Sequence, residues 1–75
     1  MSKFHERLKK LRIENKLSQR QLAPLIGFTQ TAISDWENGF NEPTTKVLIA
    51  CAKFFDVTTD YLLGLENEDG SKNIL

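Results

Sequence analysis

The stretch that decides the fold is IGFTQTAISDWENG, residues 26–39. A glycine breaks the chain at Gly27, Thr29 follows as a helix N-cap candidate, and Ala32, Ile33 and Trp36 then recur at helical spacing. Ile33 and Trp36, three apart, bury one side of such a helix and leave Gln30, Thr31, Ser34 and Asp35 on the other. Asn38-Gly39 stops it. The outward side chains are short and uncharged or acidic, and residues 26–39 contain neither Lys nor Arg.

Upstream, Ser18 is an N-cap candidate with Gln21 three residues later, where a capping-box partner belongs. The helix between them and Gly27 buries Leu22, Ala23 and Ile26. The twenty positions from Gln19 to Asn38 then form two short helices around a tight corner. Ala23 is small enough to sit where the two axes approach, and Gly27 tolerates the left-handed backbone that the corner needs.

Outside this pair the pattern stays helical. A first helix is expected over about Lys3 to Asn15, with Phe4, Leu8 and Leu11 on one face. After a loop at Phe40 to Glu42 and Pro43, Thr44 or Thr45 starts a fourth helix, whose apolar face holds Leu48, Ile49, Cys51, Ala52 and Phe55. Thr58 caps a short fifth helix containing Tyr61, Leu62 and Leu63, closed by Gly64. The expectation is an all-α five-helix bundle over residues 1–65, with residues 66–75 as a polar, flexible tail.

Composition limits the function. Seventy-five residues, 40% hydrophobic and 27% charged, make one small globular domain that buries only about 60% of its unfolded surface. The longest strongly apolar run, Val47 to Ala52, is too short to span a bilayer, and no signal peptide opens the chain, so a soluble intracellular protein is expected. The single cysteine, Cys51, lies on an apolar helix face and reads as core. His5 stands alone, so no zinc site can be assembled, and no cofactor, metal or catalytic set is expected. The net charge is zero, yet residues 1–34 carry seven Lys/Arg against two Glu, and residues 35–75 carry three Lys against eight Asp/Glu. Such a chain can turn a basic face to a polyanion.

The segments LSQRQLAPLIGFTQTAISDWENG and LIACAKFFDVTTDYLLG together resemble the phage-repressor-like helix-turn-helix family, of the Cro/CI or Xre type, over roughly Phe4 to Gly64. The resemblance implies a lambda-repressor-like DNA-binding bundle whose third helix lies in the major groove of double-stranded DNA. It also implies a transcriptional regulator, a repressor in the first instance, of bacterial or phage origin and working in the cytoplasm at the nucleoid. Carried over, Gln30, Thr31, Ser34 and Asp35 are the base-reading positions. Gln19 resembles a backbone-anchoring glutamine and Asn38 a phosphate-binding asparagine. Arg20, Thr29, Asn41 and Lys46 complete the expected backbone contacts. Arg12 and Glu37 match a structural pair tying the first helix to the third, with Arg12 free to touch a phosphate as well.

The chemistry of these residue types fits that use. Glutamine pairs bidentately with adenine, Ser and Thr offer a hydroxyl, and the Asp35 carboxylate accepts from the cytosine amine. Phosphate attraction must come from helix N-termini and from Arg20, Lys46, Lys9 and Lys10. The chain departs from the family pattern at Pro24, inside the second helix, where a kink or a tight first turn is expected. It departs again at Phe40, where a basic residue is usual. Phe54, Tyr61, Leu63 and Leu65 exceed what a small core needs and suggest a homodimer contact. The rival reading keeps the fold as a protein-interaction module without DNA binding, with Gln30, Thr31, Ser34 and Asp35 as a solvated helix face; an enzyme is a distant third.

Overall fold

A computed structural model describes residues 2–69 and 71. Its five helices are α1 (Phe4–Glu14), α2 (Gln19–Ile26), α3 (Gln30–Glu37), α4 (Thr45–Phe55) and α5 (Thr59–Leu63). The fold class read from the sequence is the one observed: an all-α five-helix bundle with the helix-turn-helix pair, α2 and α3, at its centre.

Four of the five helices start the same way. Ser18, Thr29, Thr44 and Thr58 have extended backbones, and each hydroxyl accepts from the N–H three residues on. Each such cap contributes about 1 kcal/mol to a helix too short to be stable alone. Ser18 and Gln21 form the full reciprocal box, because the Gln21 side chain also accepts from the Ser18 N–H at 2.8 Å. At the other ends, Gly27 (φ 80°) and Gly64 (φ 85°) adopt the left-handed conformation that stops a helix. Asp56 does the same for α4 with φ 55°, which a short acidic side chain tolerates.

The core is one cluster. Phe4, Leu8 and Leu11 from α1 meet Leu22, Ala23 and Ile26 from α2, Ile33 and Trp36 from α3, Val47 and Cys51 from α4, and Leu62 from α5. Trp36 is its aromatic hub, with Phe4 and Phe28 both edge-on to it at centroid distances of 6.1 and 5.3 Å. Phe28, in the corner after Gly27, therefore packs the turn onto α3. Burial pushes the Cys51 thiol up to about 12, which leaves it inert. On α4, Val47 is buried where the sequence pattern favoured Ile49, which is 45% exposed.

Pro24 causes no break. α2 runs α-helically from Gln19 to Ile26, with neither a kinked interruption nor a 3₁₀ first turn. The carbonyl deprived of a partner belongs to exposed Arg20, while beyond the proline the Ala23 carbonyl accepts from both Gly27 and Phe28.

Arg7 is buried, although nothing in its residue type announces it. It lies between Phe4 and Leu11 on the apolar stripe of α1, and its Nη1 donates to the carbonyls of Tyr61 and Glu66, both at 2.9 Å. Its guanidinium carbon sits 4.3 Å from the centroid of the Tyr61 ring. Around it, the Glu66 carboxylate accepts from Thr58 Oγ1 at 2.8 Å, and Glu68 accepts from Lys10 Nζ at 2.6 Å and from the Tyr61 hydroxyl at 2.9 Å. Lys10 and Tyr61 together hold the Glu68 carboxyl below the usual range. The first residues of the expected tail are thus tied across α1 and α5; residues 70 and 72–75 of that segment lie outside the described residues.

The two glycines make a paired test of this architecture. A Cβ at Gly27 meets nothing within 4 Å, whereas one at Gly64 lies 2.9 Å from Cγ of Lys3. Gly27→Ala should therefore cost the backbone strain alone, about 1–2 kcal/mol. Gly64→Ala should cost more, and urea unfolding of both variants checks the order.

Candidate nucleic-acid interface

α3 is presented by its inner face. Ile33 and Trp36 are buried, so Gln30 and Thr31 stand exposed and Ser34 and Asp35 half-buried on the opposite side. This arrangement needs no further contact: three residues of helix advance about 300°, so each inner residue fixes where its neighbours point. Thr29 uses its hydroxyl oxygen to cap the Ala32 N–H at 3.1 Å, while the hydroxyl hydrogen remains a donor. Asn38 ends the helix, and its Nδ2 donates to Ser34 Oγ at 3.3 Å, linking an expected backbone residue to an expected base reader.

The best-defined polar cluster lies where three helices meet. Arg12 Nε and Nη2 donate to Glu37 Oε2 and Oε1 at 2.7 and 2.9 Å, a two-pronged pair joining α1 to the end of α3. The Glu37 side chain is 3% exposed and that of Arg12 12%. The Glu37 carboxylate raises the Arg12 pKa further. Arg12 Nη1 is also engaged, donating to the Leu17 carbonyl at 2.8 Å in the turn before α2. With three of its nitrogens satisfied inside the fold and little surface left, Arg12 is a structural residue and is not positioned as a phosphate ligand. Gln19, the first residue of α2, donates from Nε2 to Glu37 Oε1 at 3.1 Å. That bond orients its amide while leaving the second N–H of the amide group, and the backbone N–H of the helix's first turn, available as donors.

The surrounding charge is thinner than the sequence suggests. Arg20 and Lys46, near the starts of α2 and α4, are exposed, as are Asn41 and Lys9. Lys10, however, is paired with Glu68, and it lies about 200° around α1 from Arg12, which faces α3. It lines a groove with Leu11, Tyr61 and Glu68 on the α1–α5 edge, so it does not belong with the α2–α3 residues. Of the side chains expected to meet another copy of the chain, Phe54 and Leu65 are exposed; Leu63 is half-buried, and Tyr61 is half-buried against Arg7.

Two features of the site have no signal in the sequence. Ser2 donates from its backbone N–H and its hydroxyl to the two Glu42 oxygens, at 2.7 and 3.0 Å, bracing the α3–α4 loop from forty residues away. The Ser2 N–H lowers the Glu42 pKa. The hydrogen bond from Gln19 to Glu37 joins residues eighteen apart, and neither residue type requires it. Among the described residues, no three His, Cys, Asp or Glu side chains are grouped as a metal ion would need, and no helix is long and apolar enough to cross a membrane.

This combination of a capped, glycine-cornered helix pair, an outward third helix and a buried Arg–Glu tie defines the helix-turn-helix class. A helix-turn-helix family model matches residues 8–62, and the chain belongs to that family, in its Cro/CI and Xre-type branch. It is 42% identical over 77 aligned positions to the uncharacterized HTH-type transcriptional regulator YqaE of Bacillus subtilis, covering 96% of this chain and 66% of the relative. It is 44% identical over 63 to the HTH-type transcriptional activator BcrR of Enterococcus faecalis, covering 84% of this chain and 31% of the relative. The fold superposes on the crystal structure of the P22 c2 repressor with a synthetic operator at a TM-score of 0.77 and 33% identity, covering 84% of this chain and 96% of that one. The chain therefore spans between about a third and two thirds of the length of these two curated relatives.

Removing Arg12 alone strands a buried carboxylate. Arg12→Met should cost about 3–5 kcal/mol, whereas Arg12→Met with Glu37→Leu should recover most of that loss. Denaturant unfolding of the two single variants and the double variant closes the cycle; an additive double variant would show that the pair is not coupled.

Proposed function

We propose that the chain is a DNA-binding domain that regulates transcription by occupying double-stranded DNA, with α3 in the major groove. The observation that carries this reading is the outward row Gln30, Thr31, Ser34 and Asp35 on a helix fixed from behind by Ile33 and Trp36, with Gln19 braced alongside by Glu37. Those four side chains read base edges. Gln30 suits adenine, Thr31 and Ser34 offer hydroxyls, and Asp35 accepts from an exocyclic amine and disfavours guanine opposite it. Gln19, Arg20, Thr29, Asn38, Asn41 and Lys46 meet the sugar–phosphate backbone and set register. The likeness to the P22 c2 repressor in complex with a synthetic operator supports this docking.

The protein acts as a homodimer. Phe54 and Leu65, 39% and 51% exposed, are apolar surface that a second copy would cover, together with half-buried Leu63. A twofold arrangement sets two recognition helices ~34 Å apart and selects a pseudo-palindromic site. Whether transcription falls or rises depends on where that site lies relative to polymerase. The work is done in the cytoplasm, at the nucleoid, without cofactor, metal or catalysis.

Selection from a randomised duplex pool at low and moderate salt tests this reading. Enrichment of a palindrome is expected, with affinity falling only gently as salt rises because few cations contact phosphate. Gln30→Ala should relax one base position per half-site by ~1–3 kcal/mol, and Gln19→Ala should weaken every duplex alike. Retention of no duplex at low salt would favour a protein-interaction module instead.

A further inference from the structure

Asn38 caps the end of α3, yet the helix does not need its side chain to end. The common reason for an asparagine there is a left-handed backbone, but its φ is −85° and the positive φ, 77°, falls on Gly39. The closing carbonyls are met by main-chain donors. The Asn38 N–H bonds to the Ser34 carbonyl at 2.9 Å, and the Gly39 N–H to that of Trp36 at 3.1 Å. The carboxamide is therefore free to act elsewhere, and its Nδ2 donates to Ser34 Oγ at 3.3 Å. Among the described residues nothing accepts the Ser34 hydroxyl hydrogen in return. A helical serine commonly donates to the carbonyl four residues back, and Ser34 does not.

We infer that Asn38 is a positioning residue for base selection: it makes Ser34 a hydrogen-bond donor, so the base facing Ser34 must present an acceptor. This rests on the DNA-binding reading above. A serine hydroxyl alone is ambivalent, because it turns to donate or to accept as its surroundings require. With Asn38 already donating to it, the hydroxyl completes its pattern by donating outward. Purine N7, guanine O6 and thymine O4 suit it, whereas the cytosine amine sets donor against donor. Asp35, next in the chain, has the opposite polarity, since its carboxylate only accepts. Adjacent positions of α3 thus ask opposite things of the duplex. The second hydrogen of Asn38 Nδ2 remains for a phosphate oxygen, so a backbone contact and the Ser34 bond select the same amide orientation.

The test selects randomised duplexes with the full chain and compares base preference position by position. The original should disfavour cytosine at the Ser34 position about tenfold. Asn38→Ala frees the hydroxyl to rotate and should erase that bias at this position alone, whatever uniform loss the phosphate contact adds. Asn38→Asp reverses the polarity, because a carboxylate accepts the hydroxyl hydrogen, and should turn the bias towards cytosine. Ser34→Ala should lose the same preference, and adding Asn38→Ala to it should alter no base preference further. If Asn38→Ala keeps the original base profile and weakens all duplexes alike, the inference is overturned while DNA binding stands. An unchanged profile in Ser34→Ala overturns it equally. If the original chain binds no duplex, both readings fall together.

Discussion

The buried carboxylate of Glu37 is the constraint on which the rest of the molecule depends. It sits at the end of α3 and is met from two directions, by Arg12 of α1 and by Gln19 of α2. A pair this buried contributes little net stability, because the cost of stripping water from two charges roughly offsets their attraction. What it supplies is geometry. Two parallel N–H···O bonds fix the guanidinium plane against the carboxylate plane, and that fixes how α1 lies against α3. The third nitrogen, on the Leu17 carbonyl, sets the turn leading into α2. The start of the first helix of the motif and the end of the second are thereby referred to the same point, where apolar packing alone would leave their relative rotation looser.

The same interaction changes the meaning of the charge pattern. The amino-terminal half carries an excess of cations, which suggests a basic face. Yet Arg12 is turned inward, Arg7 is buried under the α5 turn, and Lys10 is neutralised by Glu68. Three of the seven Lys and Arg residues in residues 1–34 are therefore engaged by carboxylates or carbonyls of the carboxy-terminal half. Much of the sequence asymmetry is cancelled by folding. Attraction for a polyanion is left to Arg20, Lys46 and a few other exposed cations, and to the free N–H groups at the starts of α2, α3 and α4.

The fold was legible wherever a residue type answers to one local requirement. Ser18 with Gln21, and the threonines at 29, 44 and 58, announce helix starts because a hydroxyl three residues before an orphan N–H has few other uses. Gly27 and Gly64 announce helix ends because both stand at positive φ. The Ile33–Trp36 spacing gives away the orientation of α3 for the same reason. Contacts that depend on tertiary neighbours were not legible. Arg7 breaks the apolar stripe of α1, and it is buried only because carbonyls from residues 61 and 66 converge on it. Val47 and Ile49 are both apolar and lie about 200° apart on α4, and which of them faces inward is settled by the side of α4 that packs against α2 and α5. Of the candidate site, the outward row Gln30, Thr31, Ser34 and Asp35 could be placed on one face from spacing alone, whereas the Ser2 brace on Glu42 joins groups with no pattern between them.

Pro24 shows how local propensity yields to position. A proline deep in a helix costs about 3 kcal/mol when it leaves a carbonyl unsatisfied and forces the axis to bend. Here the deprived carbonyl is that of exposed Arg20, where water can replace the missing donor, and the ring itself is exposed. The helix does not rely on the lost bond for its limits either. It begins at the reciprocal Ser18–Gln21 box and ends at Gly27, where the Ala23 carbonyl accepts twice. Its buried side chains, Leu22, Ala23 and Ile26, lie on the face away from the proline. A substitution disfavoured for an isolated helix is therefore tolerated in one whose ends and inner face are fixed by other residues, and Gln19 keeps its place against Glu37 because that place is set at the helix start, upstream of the proline.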